Sequence, residues 1–494
     1  MDALLISPDH GSSQCSFPWG VLAVGSYLTN TKKRDVRLLD ASTLSESEFR
    51  CELEKLLPST RLVGIGCFTT DVQYVKKLVD SIKETNPETK IIIGGPHAVL
   101  EPEQTCRYKN IDFVAYTEAE QTMASLIEEI ARPNPNYEKV PGLIFKISGA
   151  VRKNPPPEFV GFYDTDYDLL PKSTRSKFHD YMEVITGRGC SYRCRFCYNS
   201  VICQTFHPRP AEDIALELEK IVEKYNPKVV YFRDENFFHV KKRALDFIRL
   251  YKDKGFAFRW QATCRANYFN ERYINTEFVR QLESVNCEML KMGIESGTQR
   301  VLDYLRKGIS IDGIKRAVVE VAKSKSIKGN YSFIVGLPEQ KVDDYIDTVK
   351  LIKFILDRET DAHIIGPQYF RIYPGGSLYE EIVDKYGYTE PASFEEWAQR
   401  KNCKDDPLGF HGDVEYPWIP AKGKYLALHG RWLVLLYQKP VKHFLTWKRF
   451  PAMPFVLLTK LRFKNDWYSY LYDIKLLVIL YDLQNYFSRL KQSK

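Results

Sequence analysis

Two successive series of short apolar runs alternating with helical stretches constrain this chain more than any other feature of its sequence. In the first ~140 residues the runs are Ala3–Ser7, Val36–Asp40, Leu62–Phe68, Lys90–Gly94 and Phe113–Tyr116. Helical patterns fall between them near Gly20–Leu28, Glu46–Leu57, Val72–Thr85 and Gln121–Ala131. Five strands separated by helices predict a doubly wound parallel α/β sheet. The second series starts at 183, with strands expected at Glu183–Thr186, Val229–Arg233, Ala257–Ala262, Met289–Ile294, Asn330–Val335 and His363–Ile372. Six βα units at that spacing predict a partial, open (β/α)6 barrel of TIM type.

The expected division is a Rossmann- or flavodoxin-like domain over 1–140, a linker over 141–180, a barrel over 181–380 and a mostly helical cap over 381–494. The linker holds a short hairpin-like piece around Gly142–Val151 before Pro155-Pro156-Pro157. In doubly wound sheets ligands sit beyond the carboxyl ends of the strands. Those ends carry Ser7, Asp40, Cys67-Phe68-Thr69-Thr70, Gly94-Gly95-Pro96-His97 and Thr117-Glu118-Ala119-Glu120. Small residues there let a ligand approach the backbone, although turn chemistry explains the same residues.

The 44% apolar and 27% charged composition excludes disordered, collagen-like and coiled-coil classes. Residues 421–494 hold 14 Lys and Arg against 3 Asp and Glu, a net +11 that leaves −3 for residues 1–420. The basic character therefore belongs to the tail. No basic, apolar leader follows Met1, and apolar runs such as Leu476–Tyr481 fall short of the roughly 20 residues that span a bilayer. A cytoplasmic protein is expected, with clustered cysteine reading as metal binding in a reducing compartment.

That cluster is Cys190-x3-Cys194-x2-Cys197, following Gly187-Arg188-Gly189 at the end of the first barrel strand. A [4Fe–4S] cluster usually takes four thiolates, so three leave one iron open to a substrate or cofactor. With Cys203 as a fourth ligand, the set would instead suit a structural zinc, and a non-catalytic zinc module is the rival reading. The 3,2 spacing, with Phe196 before the last cysteine, resembles the radical S-adenosylmethionine (SAM) superfamily. That resemblance implies a [4Fe–4S] cluster on Cys190, Cys194 and Cys197 whose free iron chelates SAM. Reductive cleavage then gives a 5′-deoxyadenosyl radical, with flavodoxin or ferredoxin as electron donor. It also assigns SAM contacts to Phe196, Asp234 and Glu235 after the second strand and Arg265 after the third. Glu295 and Ser296 after the fourth and Val335 and Gly336 after the fifth complete them. Tyr373-Pro374-Gly375-Gly376 matches the turn after the sixth. A buried ion-pair partner is the lesser alternative reading of Glu295. No catalytic acid or base is identifiable; Tyr198, Cys264 and Tyr373 are candidates by location only.

A doubly wound domain ahead of such a barrel resembles the cobalamin (B12)-binding subclass of that superfamily. The features are Pro18-Trp19-Gly20, Gly94-Gly95-Pro96-His97 and Tyr116-Thr117-Glu118-Ala119-Glu120. The resemblance implies cobalamin near Ser7, Cys67, Thr69, Thr70, Gly94, Gly95, His97, Thr117 and Glu118. The cobalt-ligating Asp-x-His-x-x-Gly motif is absent, since Asp9-His10-Gly11 has the wrong spacing. The implied reaction is methylation of an unactivated carbon on a lipid or other small molecule. A cobalamin-independent radical cyclase or oxidoreductase is the alternative.

The tail interleaves Trp432, Trp447, Phe450, Phe455, Phe463, Trp467, Tyr468, Tyr470 and Tyr472 with Lys442, Lys448, Arg449, Lys460, Arg462 and Lys464. A helical cap with solvated lysines, a peripheral membrane contact through 430–494 and nucleic-acid binding all fit that composition, nucleic acid least.

Overall fold

The computed structural model describes residues 1–9, 17–400, 416–438, 453–468, 470–477, 479, 480 and 483. His10 and Gly11 of the short histidine motif, and Lys442, Trp447, Lys448, Arg449 and Phe450 of the tail, lie outside the described residues. Contacts divide the chain into two compact units. One comprises Met1–Val184, Arg188–Val229 and Tyr373–Pro407; the other comprises Ile185–Gly187, Val230–Ile372 and Leu408–Lys494.

In the first unit, β1 (Ala3–Ser7), β2 (Val36–Asp40), β3 (Leu62–Gly66), β4 (Lys90–Gly94) and β5 (Phe113–Ala115) pair in parallel in the order β2-β1-β3-β4-β5. This is the flavodoxin-like order, with its reversal between β1 and β3. Alternate side chains feed opposite faces, as the two-residue period of a strand requires. Leu4 and Ile6 join one core with Val75, Val79 and Ile82 of the helix Val72–Thr85. Ala3 and Leu5 join the other with Val21 and Val24 of the helix Trp19–Ser26 and Leu126 and Ile127 of the helix Glu120–Ile130.

The sheet does not stop at residue 140. The hairpin β6 (Leu143–Ile147) and β7 (Ala150–Lys153) adds antiparallel to β5 and makes seven strands. Leu143, Ile144 and Phe145 are all buried, so this part of the segment read as a linker contributes to the same core.

After β8 (Met182–Val184), the two-residue pair β9 (Gly187–Arg188) and β10 (His207–Pro208) closes the base of the cysteine loop. A six-stranded sheet has the order β15-β14-β13-β12-β11-β8, where β11 is Val229–Phe232, β12 Arg259–Cys264, β13 Cys287–Glu295, β14 Lys328–Val335 and β15 His363–Tyr369. Pairings from β12 to β15 are parallel, and helices such as Lys241–Asp253, Ile311–Ala322 and Val342–Leu356 connect successive strands. This is the expected open barrel. Trp260 packs among Phe232, Phe237 and Phe247, the last on the helix Lys241–Asp253, so Trp260 marks the helix-covered face.

The C-terminal region is helical among the described residues. The helices Ala421–Gln438 and Met453–Asn465 bury Leu426, Leu433, Val456 and Phe463 with Tyr345 and Val349 of the helix Val342–Leu356. Lys464 and Lys475 stay exposed. No helix among the described residues is long and apolar enough to cross a membrane.

Candidate functional site

The cysteine loop is shaped by its backbone. Gly189 has φ +78°, and a Cβ there would lie 2.1 Å from the Thr205 carbonyl oxygen and 2.6 Å from Cys203 Sγ, so only glycine fits. Cys190 N–H donates to the Cys203 carbonyl at 3.2 Å, and Cys197 N–H to the Cys194 carbonyl at 3.1 Å. Cys194 is buried, while Cys190, Phe196 and Cys197 are half-buried.

The far side of the loop is held by the expected proline-glycine turn. Arg195 donates through Nε to Ser377 Oγ at 3.2 Å and forms an ion pair with Glu381. Its carbonyl accepts from Leu378 N–H. Gly376, at φ +86°, brings its backbone so close that a Cβ would meet the Arg195 carbonyl at 2.9 Å.

Three thiols in one tight loop fit a [4Fe–4S] cluster, because each takes a different iron and one corner stays open. Among the described residues no three His, Cys, Asp or Glu side chains converge as around a single ion. Cys203, the fourth ligand of the zinc alternative, sits at the base of the loop. Its thiol donates to the Thr205 carbonyl at 3.5 Å, and burial pushes its pKa up.

In the second unit the strand-end residues assigned to SAM divide into two groups. Asp234 is buried and accepts from Thr186 N–H (2.7 Å), Thr186 Oγ1 (2.8 Å) and Arg243 Nη2 (2.8 Å). Its carboxylate is therefore committed to organising the end of β11. Glu235, one residue on, is exposed. Arg265 is likewise buried, bonded to Asn267 Oδ1 at 3.2 Å and to the Lys307 carbonyl. It braces the 306–308 turn.

Glu295 is the ion-pair partner that the sequence left open. Lys307 Nζ donates to Glu295 Oε1 at 2.7 Å across the Cα of Gly293, where a Cβ would collide with both groups. Yet Glu295 has φ +66°, and the register of β13 with β14 shifts between Gly293 and Glu295. A strained non-glycine residue at a bulge beside a strand end marks a backbone shaped for something other than pairing. Ser296 is fully buried beside it. At the next strand end, Phe370 N–H takes the Val335 carbonyl at 2.7 Å, and Trp418 Nε1–H takes the Gly336 carbonyl at 3.1 Å. The C-terminal segment thus covers the carbonyl side of this backbone.

The edge of the first unit's sheet divides too. Gly66 and Gly94 lie in register at the ends of β3 and β4, with Ala115 ending β5. The space around the Gly94 Cα is open enough that a Cβ finds its nearest neighbour, Ala115 Cβ, at 3.9 Å. This row of small residues fits a broad flat ligand lying on the strand ends. Thr69, Thr70, Thr117 and Glu118 are half-buried around it.

Ser7, Cys67 and His97 are instead buried below that edge. Gly95 locks the turn, because at φ +90° its Cα sits against the Cys67 backbone. His97 turns inward, accepts or donates at Nδ1 with Thr69 Oγ1 (3.2 Å), and packs on Phe394 and Trp397. Burial lowers its pKa to about 3, which keeps it neutral. From there these three side chains support the strand ends.

Residues 184–352 match the Radical SAM superfamily, and residues 12–127 match the B12 binding domain. The chain contains a radical SAM domain. It carries the B12-binding domain ahead of the radical SAM barrel, and the family implies a [4Fe–4S] cluster and SAM, with cobalamin supported by the second domain. An uncharacterized methyltransferase of Pyrococcus horikoshii is 29% identical over 365 residues, covering 71% of this chain and 76% of the relative. The structure of the radical SAM methyltransferase TsrM from Kitasatospora setae with cobalamin and a [4Fe–4S] cluster bound superposes with a TM-score of 0.66 at 16% identity. It covers 90% of this chain and 92% of that one. The cobalamin-dependent SAM radical enzyme OxsB, with aqua-cobalamin and SAM bound, gives a TM-score of 0.59 at 19% identity. That match covers 81% of this chain and 56% of OxsB, so this radical SAM chain spans little more than half of that structure.

Sequence reasoning missed the residues that hold the site. Arg195, Glu381, Lys307 and Arg243 carry no motif of their own, and only their partners across the fold reveal them.

Proposed function

We propose that this chain is a cobalamin-dependent radical SAM methyltransferase that transfers a methyl group to an unactivated carbon of a small molecule. One observation carries the reading: the three-cysteine loop and the small-residue sheet edge of the B12-binding domain belong to one compact unit. Bound there, the cluster and SAM supply hydrogen abstraction and the corrinoid supplies the methyl group. The chain's own residues hold and shield these groups. Cys190, Cys194 and Cys197 supply thiolates, and Arg195 with Glu381 and Gly376 fixes the loop that bears them. Gly66, Gly94 and Ala115 leave room for a flat ring, while Glu235, Ser296 and the backbone at 335–336 remain assigned to SAM.

Iron, sulfide and cobalt content of anaerobically reconstituted protein supplied with hydroxocobalamin tests the reading, together with 5′-deoxyadenosine release. About four irons, one cobalt and SAM cleavage that vanishes when all three cysteines become alanine are expected. Four irons without cobalt would shift the reading to a cobalamin-independent cyclase or oxidoreductase.

The tail supports a finer proposal, contact with an anionic membrane surface. Leu457, Leu461, Trp467 and Leu476 are roughly half exposed, and Lys464 and Lys475 lie beside them in sequence. Cosedimentation with phosphatidylglycerol vesicles should fall severalfold in L457S/L461S. No binding by the unaltered chain would remove this proposal and leave the enzyme reading intact.

A further inference from the structure

Arg188 is two residues ahead of the first cluster cysteine, and its guanidinium is buried in the first unit. Nη1 lies 2.6 Å from Glu120 Oε1 and 3.5 Å from Glu118 Oε1, and Nη2 donates to Tyr163 Oη at 2.9 Å. Tyr163 Oη in turn lies 2.6 Å from the same Glu120 oxygen. The Arg188 and Glu120 side chains are 16% and 4% exposed. Both glutamates stand at the carboxyl end of β5, Glu120 opening the helix that follows it.

A buried ion pair of this kind adds little stability over an apolar pair of equal volume, because desolvation offsets the attraction. What it does add is a defined geometry. Arginine's planar fork can meet Glu120 and Tyr163 together only at one orientation. Arg188 is also pinned along the chain, by the β9–β10 pair and by Gly189 against Thr205. A second contact fixes the opposite end of the loop. Gly375 packs on Leu100, in the helix Pro96–Leu100 after β4, while Gly376 packs on Arg195.

We propose that Arg188 is a positioning residue that, through Glu120 and Tyr163, registers the cysteine loop on the strand-end loop after β5. It thereby sets the separation between the cluster and the corrinoid. The proposal rests on the cobalamin-dependent reading above. Glu120, which the sequence offered only as a strand-end residue, thus takes an anchoring role toward Arg188, and Glu118, which the resemblance placed near cobalamin, faces the same guanidinium.

The test uses full-length protein holding both cofactors, reduced so that cob(II)alamin and the [4Fe–4S] cluster are both paramagnetic. Pulsed EPR then reads the relaxation enhancement of cob(II)alamin by the cluster, which depends on their separation. In R188M the enhancement should weaken severalfold at unchanged iron and cobalt content. R188K keeps the charge but replaces the planar two-pronged fork by a single ammonium, so a partial loss is expected. The charge swap R188E/E120R should recover part of the wild-type value. Wild-type relaxation in R188M, or in R188K where R188M fails to fold, would overturn the proposal. Iron without cobalt in the unaltered chain would instead overturn the cobalamin reading itself, and the metal analysis tells the two failures apart.

Discussion

Cys203 and Cys194 lie nine residues apart and do different work. Cys194 is buried within the loop, whereas the Cys203 thiol, raised by burial, is spent on the Thr205 carbonyl. C203A should therefore retain about four irons after reconstitution and C194A should not, by iron and sulfide analysis. Equal loss in both would favour the zinc-type set. His97 makes a pH-dependent contribution whose sign follows from its burial. Its folded pKa, about 3, lies below the unfolded value near 6.5, so on acidification the unfolded chain takes a proton that the folded chain refuses. Stability is lost as pH falls from about 6.5 toward 3, by about 1.4 kcal/mol per pH unit from this group. Between pH 7 and pH 5, urea unfolding should show H97Q losing about 2 kcal/mol less stability than the unaltered chain. His429, lowered to about 4 chiefly by burial, titrates in the same range in both proteins and cancels from the comparison.

At the scale of elements, the turn Tyr373–Gly376 and the helix Phe394–Gln399 do for the first unit what its own strands cannot. The helix covers His97 with Phe394 and Trp397, and the turn braces the cysteine loop through Gly376. The backbone of Gly376, at φ +86° and ψ 155°, is nearly closed to other residues. G376A should cost about 1–3 kcal/mol by denaturant unfolding and lower the iron retained on reconstitution. Iron at the wild-type level in G376A would mean that the loop needs no brace. The series of strands was legible in the sequence because short apolar runs, buried on both faces in the first sheet, and intervening helices leave a strong pattern. The hairpin after β5 was legible as a short hairpin-like piece, but its place in the first sheet was not. Its strands are short, and their pairing with β5 is a contact between distant segments.

For the molecule as a whole, ligand binding and stability are linked, since a ligand that binds only the folded chain stabilises it by about 2.7 kcal/mol at a hundred times its Kd. Hydroxocobalamin should raise the Tm of the unaltered protein. Gly94 sets how closely a flat ligand can approach, and its surroundings accept a methyl group without collision. G94A should keep most of its cobalt, whereas G94F should lower cobalt retention about tenfold and abolish the Tm shift. Retained cobalt in G94F would place the ligand elsewhere.

The sequence by itself determined the two βα series, the cysteine loop and the order of the strand-end motifs, because these rest on local spacing and local periodicity. It could not determine which strand-end side chains remain open to a ligand. Asp234 is taken by Arg243 and Thr186, Glu295 by Lys307, Glu120 by Arg188, and His97 by helix residues from the far end of the chain. Each of these outcomes depends on a counter-charge or an apolar cover brought in by the tertiary fold. A buried carboxylate must find a partner, and only the packed chain decides which one it finds.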